Sequence, residues 1–159
     1  MDRLLDAGAA VDLAHEDLDV VLGYDYIDGD EDPSPVAGTT SYAHGTAVAG
    51  IAAAIGDNAQ GVAGVAYGAQ ILPIRIIGEG TTLSDVHDAF WWATSRGADV
   101  LSNSWSLSAS QCDEVPLYAA LQEGIAFAVE EGRDGLGAAV VFGSGNGGCD
   151  IAQDGLLAY

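Results

Sequence analysis

Short apolar runs closed by glycine alternate along this chain with longer segments whose apolar residues recur at helical spacing, and few architectures tolerate that alternation. Strands buried on both faces read as continuous apolar runs, and parallel neighbours need a crossover of a dozen or more residues, usually a helix. Ile71–Ile77, Asp99–Asn103 and Ala138–Gly143 are therefore expected strands. His44–Ile55, Thr82–Arg96 and Pro116–Glu131 are expected helices, the second after a Thr-rich cap and the third with proline at its first position. In the second, Val86, Phe90 and Ala93 form one apolar stripe, so Trp91 and Trp92 cannot both face inward, and at least one packs helix to sheet. The expected fold is α/β with three layers, a mostly parallel sheet carrying helices on both faces. With no repeat, linker or low-complexity tail, residues 1–159 are read as one unit.

At 159 residues and 49% apolar content the chain can bury a core, and it is equally the size of a piece of a larger domain. Its charge is lopsided: 24 acidic residues stand against four arginines and no lysine, a formal charge of -20. Nucleic acid and anionic membranes need clustered cations and are excluded as partners. An acidic surface suits a secreted protein or a salty medium, where ions screen self-repulsion. No stretch approaches the roughly 18 apolar residues of a membrane span. Met1-Asp2-Arg3-Leu4 has no signal-peptide character, so an exported protein would carry its signal outside this chain. The acidic segment Asp25–Pro35 reads as a solvated loop after a short strand, with Asp25, Asp28, Asp30, Glu31 and Asp32 in it and Asp19 just before. Cys112 and Cys149 fit no metal spacing; two free thiols and one disulfide both remain open. Nothing in the sequence sets an oligomeric state.

Three motifs carry chemistry. His44-Gly45-Thr46-Ala47-Val48-Ala49-Gly50 opens a helix with a histidine followed almost wholly by small residues. Small side chains let the helix lie close on the sheet, and Gly45 is expected to leave room for a substrate backbone beside the imidazole. The strand Ala138–Phe142 runs into Gly143-Ser144-Gly145-Asn146-Gly147-Gly148. That turn has the G-x-G-x-x-G form of a dinucleotide site, but such a turn belongs in the first βα unit with an acidic residue about 20 positions later. The third motif is Asp6-Ala7-Gly8, entered through a short apolar lead, Arg3-Leu4-Leu5, and separated by Ala9 and Ala10 from Val11-Asp12-Leu13-Ala14-His15.

Together these motifs resemble the subtilisin family of serine peptidases, peptidase S8, over nearly the whole chain. The resemblance implies a subtilisin-like peptidase domain and hydrolysis of polypeptide substrates by a Ser-His-Asp triad. His44 would be the general base and Asp6 the acid that orients it, while Asn146 would donate to the oxyanion. An oxyanion donor is worth about 10²–10³ in turnover, a magnitude known from subtilisin itself. The resemblance also implies a structural Ca2+ joining His15-Glu16-Asp17-Leu18 to Gly56-Asp57-Asn58-Ala59-Gln60-Gly61-Val62. Its ligands would be the Asp17 and Asn58 side chains and the carbonyls of Gly56, Gln60 and Val62. Ser102, Ser104, Trp105 and Gly145 would line the substrate groove, by strand addition along the Ser102–Trp105 edge. Gly132-Arg133-Asp134-Gly135-Leu136-Gly137 most resembles the kexin-like branch, although Ser106, Leu107, Ser108 and Ala109 depart from that branch, so its preference for basic substrates does not carry over. His15 is expected to shape its turn and His87 to sit on the polar side of its helix.

One part is missing. The family places its nucleophile in a Gly-Thr-Ser-x-(Ser/Ala) segment that opens a later helix, and none occurs before Tyr159. Ser144 belongs to the oxyanion turn and does not substitute. The expectation is a secreted or surface serine endopeptidase domain incomplete at its C-terminus, inactive alone and prone to aggregate through an uncovered sheet. Two other classes are a non-catalytic relative used for binding and a dinucleotide-binding oxidoreductase.

Overall fold

The computed structural model describes residues 3–36, 43–105, 119–144 and 146, with the backbone alone over 4–8. Five parallel strands form one sheet among them: β1 (Arg3–Gly8), β2 (Tyr24–Asp25), β3 (Gln70–Arg75), β4 (Val100–Asn103) and β5 (Ala139–Phe142), ordered β2-β3-β1-β4-β5. The helices are α1 (His44–Ala53), α2 (Leu83–Ser95) and α3 (Ala119–Gly135). The expected strands and helices are all present with small shifts at their ends; Pro116 lies outside the described residues. α3 departs from helical geometry at Gly132, ψ 151°, and Arg133 and Asp134 are left-handed, so its regular turns end at the expected Glu131.

Alternation along each strand builds two cores. Leu72, Ile74 and Leu101 point to the face covered by α2 and α3, where they meet Val86, Phe90, Ala93 and Leu121. Ile71 points the other way, to Ala49 and Ala53 of α1 and to Val11 and Leu18. α2 starts with a capping box: Thr82 Oγ1 accepts from the Asp85 N–H at 3.2 Å, and Asp85 Oδ2 accepts from the Thr82 N–H at 2.7 Å. Trp91 is about half exposed and stacks on Phe127 with centroids 4.6 Å apart, while Trp92 packs against the core, so the two do diverge.

β1 holds the central place despite its short apolar lead. Its backbone is paired on both sides, Leu5 with Leu72 and with Leu101, and Asp6 with Pro73 and with Ser102. A strand so placed is stabilised by two ladders and needs little from its own side-chain pattern. Asp99 fastens its start, since the Arg3 N–H donates to Asp99 Oδ2 at 2.8 Å and the Asp99 N–H to the Arg3 carbonyl at 2.8 Å. Ala10 and Val11, beyond β1, are fully buried.

The solvated-loop expectation fails at Asp25. It is completely buried, and its Oδ2 accepts from Arg75 Nη1 at 2.7 Å, while Asp28 accepts from the same nitrogen at 2.9 Å. The other Asp25 oxygen accepts from the Ile27 N–H at 2.7 Å, so one carboxylate ties the loop to β3. Asp28, Asp30, Glu31 and Asp32 are exposed as expected.

From β1 the strand order runs to β3 and β2 on one side and, from its neighbour β4, to β5 on the other, with α1 on one face of the sheet and α3 on the opposite face. Such a reversal opens a crevice at the carboxyl ends of the strands, where ligands bind in open α/β sheets. On the α1 face, Val141 of β5 is 53% exposed and Ile51 of α1 is 72% exposed.

The Arg75 pair generates a prediction. Arg75→Met leaves the Asp25 carboxylate buried without its countercharge and should cost about 3–5 kcal/mol in urea unfolding; a cost below about 1 kcal/mol would show that the pair does not hold the β2 edge.

Candidate active site

α1 is an unusual helix to carry a functional residue, because its own ends are poorly secured. Ala43 at its N-cap makes no side-chain bond, the first turn has no acid and the last turn no base. Tertiary contacts hold it instead. A Cβ built at Gly45 would run into the carbonyl oxygens of Ala9 and Ala10, so only glycine lets the first turn of α1 rest on the chain leaving β1. The expected role of Gly45 is thus corrected: the space is filled by this chain's own backbone, not by a substrate. Next to it the Asp12 N–H donates to Thr46 Oγ1 at 3.0 Å. His44, exposed at the head of α1, therefore stands over the carboxyl end of β1, the strand that contains Asp6.

β4 and β5 complete that edge. The ladder between them runs to Asn103 and Phe142, and the Gly143 N–H donates to the Asn103 carbonyl at 2.9 Å. Asn146 lies three residues past Gly143 and is exposed. Ser102 and Ser104 are half-buried at the end of β4. Trp105 is 9% exposed and meets Phe142 edge-on with centroids 5.6 Å apart, so its ring stands inside the core. Gly145, Cys112 and Cys149 lie outside the described residues. His15 shapes its turn as expected, its Nδ1 accepting from the Asp17 N–H at 3.3 Å. His87 is half-buried on α2, with Nδ1 2.9 Å from Asp88 Oδ1.

The Asp17 segment and the loop from Gly56 to Val62, which the family resemblance joined, do meet. Asp17 is 4% exposed; Oδ1 accepts from Asn58 Nδ2 at 2.6 Å and Oδ2 from the Val62 N–H at 3.0 Å. The Gln60 N–H donates to Asn58 Oδ1 at 3.0 Å, and the Ile55 N–H to the Asp17 carbonyl at 2.9 Å. Gly61, at φ 41°, presses so close on Asp17 Oδ2 that a side chain there would collide with it. The Asn58 amide, then the Val62 N–H, and to a lesser degree His15 hold the Asp17 carboxyl below its ordinary value against the opposing effect of burial. Among the described residues no arginine pairs with this carboxylate, and no cluster of three His, Cys, Asp or Glu side chains forms a metal site. The available donors are one carboxylate, one carboxamide and loop carbonyls. That hard-oxygen set fits a calcium ion and not a softer metal.

Among the described residues, hollows of about 560 Å³ and 430 Å³ open at the amino edge of the sheet, and both are lined by Arg3. Their cations are engaged within the chain: Arg3 Nη1 donates to the Arg96 carbonyl at 2.5 Å, and Arg133 Nε stands 3.3 Å from Asp99 Oδ1. Of the two edges, the carboxyl edge is the one where the topology gathers uncommitted polar groups.

An open parallel sheet with a histidine-headed helix at its switch point and a glycine-rich turn after its last strand defines the class, an α/β domain of subtilisin-like fold. Residues 4–157 match the subtilase family, peptidase S8, and the chain belongs to that family. It is 45% identical over 106 residues to a thermophilic serine proteinase of Bacillus sp. (strain AK1), covering 64% of this chain and 24% of that protein. It is 35% identical over 125 residues to a calcium-dependent protease of Trichormus variabilis, covering 73% of this chain and 18% of the relative. Among solved structures, the serine protease of Aeromonas sobria superposes with a TM-score of 0.73 at 25% identity, over 92% of this chain and 25% of that one. A cold-adapted subtilisin-like serine proteinase gives 0.63 over 95% of this chain and 49% of the other, at 24% identity. The chain thus spans under a quarter of the length of the two curated relatives. Family membership ends the dinucleotide reading, and the Gly143 turn follows the fifth strand rather than the first.

The direction of the Asp17 shift fixes a pH window. A carboxyl held below its ordinary 3.8 stabilises the fold above that value and loses the contribution as pH falls through the folded-state pKa. Asp17→Asn should lower the thermal midpoint by several degrees at pH 7, with the gap to the parent narrowing once pH drops below 3.8; a gap of constant size down to pH 2 would contradict the assignment.

Proposed function

We propose that this chain supplies the general base, its orienting acid and the oxyanion donor of a serine endopeptidase that cleaves polypeptides. The observation that carries the reading is convergence: the head of α1, the end of β1 and the turn after β5 meet at one carboxyl edge, at the switch point between β1 and β4. His44 takes the proton of the attacking hydroxyl and returns it to the leaving amine. Asp6 keeps the imidazole in the required tautomer and stabilises its protonated form. Asn146, with a backbone N–H, holds the oxyanion of the tetrahedral intermediate. Ser102, Ser104 and Gly145 border the substrate groove, and Trp105 supports its wall from the core side. The non-catalytic binding reading has no observation of its own in favour.

No Gly-Thr-Ser-x-(Ser/Ala) segment occurs in the 159 residues, so the nucleophile is assigned to none of them. Residues 1–159, read as one partial peptidase domain, should be inactive when purified alone. In the whole protein that carries this chain, His44→Ala should abolish hydrolysis of a chromogenic peptide. Asn146→Ala should lower kcat by about 10²–10³ with little change in KM, the magnitude known for subtilisin's own oxyanion asparagine. Turnover by 1–159 that disappears in His44→Ala would instead place the nucleophile inside this chain.

Calcium is the cofactor this reading includes, supported by the donor set round Asp17 and by the name of the calcium-dependent protease relatives. Asp17, Asn58 and the carbonyls of Gly56, Gln60 and Val62 would hold the ion, whose contribution is to tie two distant segments rather than to take part in chemistry. Adding millimolar calcium to the whole protein should raise its thermal midpoint, and Asp17→Asn should remove that rise. An unchanged midpoint in the parent would remove calcium from the account. Extracellular action fits the names of several relatives, an extracellular protease of Xanthomonas campestris among them, and the acidic surface.

A further inference from the structure

Asn103 is a polar residue in an apolar row. Its neighbours on that face of the sheet are Leu101, Val140 and Phe142, and it is 1% exposed. The row is otherwise apolar, so a buried amide at this place calls for an account of its hydrogen bonds. Nδ2 donates to the Leu101 carbonyl at 3.2 Å within β4 and to the Val141 carbonyl at 3.1 Å across in β5. Both neighbours are carbonyl oxygens, which only a donor satisfies, and this sets the orientation of the carboxamide. Oδ1 is buried with no partner among the described residues. The side chain therefore stays at the expense of an unsatisfied acceptor, and its value lies on the donor side.

What the donor reaches is specific. The Val141 carbonyl and the Gly143 N–H, which donates to Asn103's own carbonyl at 2.9 Å, lie on either side of Phe142. One residue thus grips β5 twice, at the last two points before the chain turns toward Asn146. We infer that Asn103 is a positioning residue for the oxyanion turn: its carboxamide fixes the end of β5 against β4 and thereby sets where Asn146 stands. The inference rests on the serine-peptidase reading for its chemistry, but the grip on β5 is independent of it.

The test uses the whole protein that carries this chain, with Asn103→Leu, which keeps the branched side-chain skeleton but removes the donor, and Asn103→Ser, which keeps a donor on a shorter arm. Asn103→Leu should lower kcat by about 10–100-fold with KM within about twofold, as expected of a misplaced catalytic group. Asn103→Ser should recover part of the loss, and it carries the test if the leucine variant does not fold. In an Asn146→Ala background Asn103→Leu should have almost no further effect, because its action passes through the residue already removed. A purely structural role would give additive losses in that cycle and would overturn the inference, as would an unchanged kcat. Amide hydrogen exchange at Gly143, whose N–H is held by the Asn103 carbonyl, should quicken in both variants. If the parent hydrolyses no peptide, the peptidase reading fails, and the exchange rates alone decide whether Asn103 holds the turn; unchanged rates refute it.

Discussion

The contact between Gly45 and the carbonyls of Ala9 and Ala10 is the constraint from which the rest of the carboxyl edge follows. It is a contact between backbones, and backbones do not repack: a side chain of any size at Gly45 would lift the first turn of α1 off the end of β1. The small residues that follow extend the same logic. Ala49 and Ala53 are fully buried against Ile71, Val11 and Leu18, so the helix axis can run close to the sheet along its whole length.

α1 is short, uncapped by side chains and without helpful charges at its ends, so it owes its stability to what surrounds it. Residues 9–19 supply that support like a brace laid beside the helix. At its head, Ala9, Ala10 and Asp12 meet Gly45 and Thr46; at its tail, the Asp17 carbonyl takes the Ile55 N–H and the Asp17 carboxylate gathers the loop from Asn58 to Val62. The same brace therefore positions His44 and builds the candidate calcium loop. Loosening one end should be felt at the other, because the helix between them is a rigid element of ten residues.

Where periodicity determines structure, the sequence was legible. β3, β4, β5, α1 and α2 fall where apolar runs and helical spacing put them, since each owes its form to its own side chains. β1 was hard to read because its central place comes from ladders to β3 and β4, strands 67 and more residues away in the register of Arg3 with Gln70. Asp25 looked solvated because its neighbours are; its partner Arg75 is 50 residues distant, and no local pattern marks that pairing. The role of Gly45 was inverted for a related reason, since an absent side chain does not reveal what takes its space. Asn103 was read only as part of the Ser102–Trp105 edge although a signal for its burial existed: an asparagine within the run Val100-Leu101-Ser102-Asn103, at the alternation meant for the core. The pairing of Asp17 with the Asn58 loop, in contrast, followed from family resemblance and not from any rule of periodicity.

Charge closes the account, because the few cations are all committed. Arg75 answers Asp25 and Asp28, Arg3 donates to the Arg96 carbonyl, Arg96 lies 4.1 Å over the Trp92 ring and Arg133 faces Asp99. Three of the four stand round the amino edge, and none borders His44 or Asn146. The carboxyl edge is thus left in the field of a chain with formal charge -20. That field disfavours anionic partners over distances comparable to the Debye length, about 8 Å at physiological ionic strength, and weakens as salt rises. It acts on approach rather than on chemistry. Inside the crevice a short-range donor such as the proposed Asn146 carboxamide would have to stabilise a negative charge against this background, and so its placement matters more here than it would on a neutral surface.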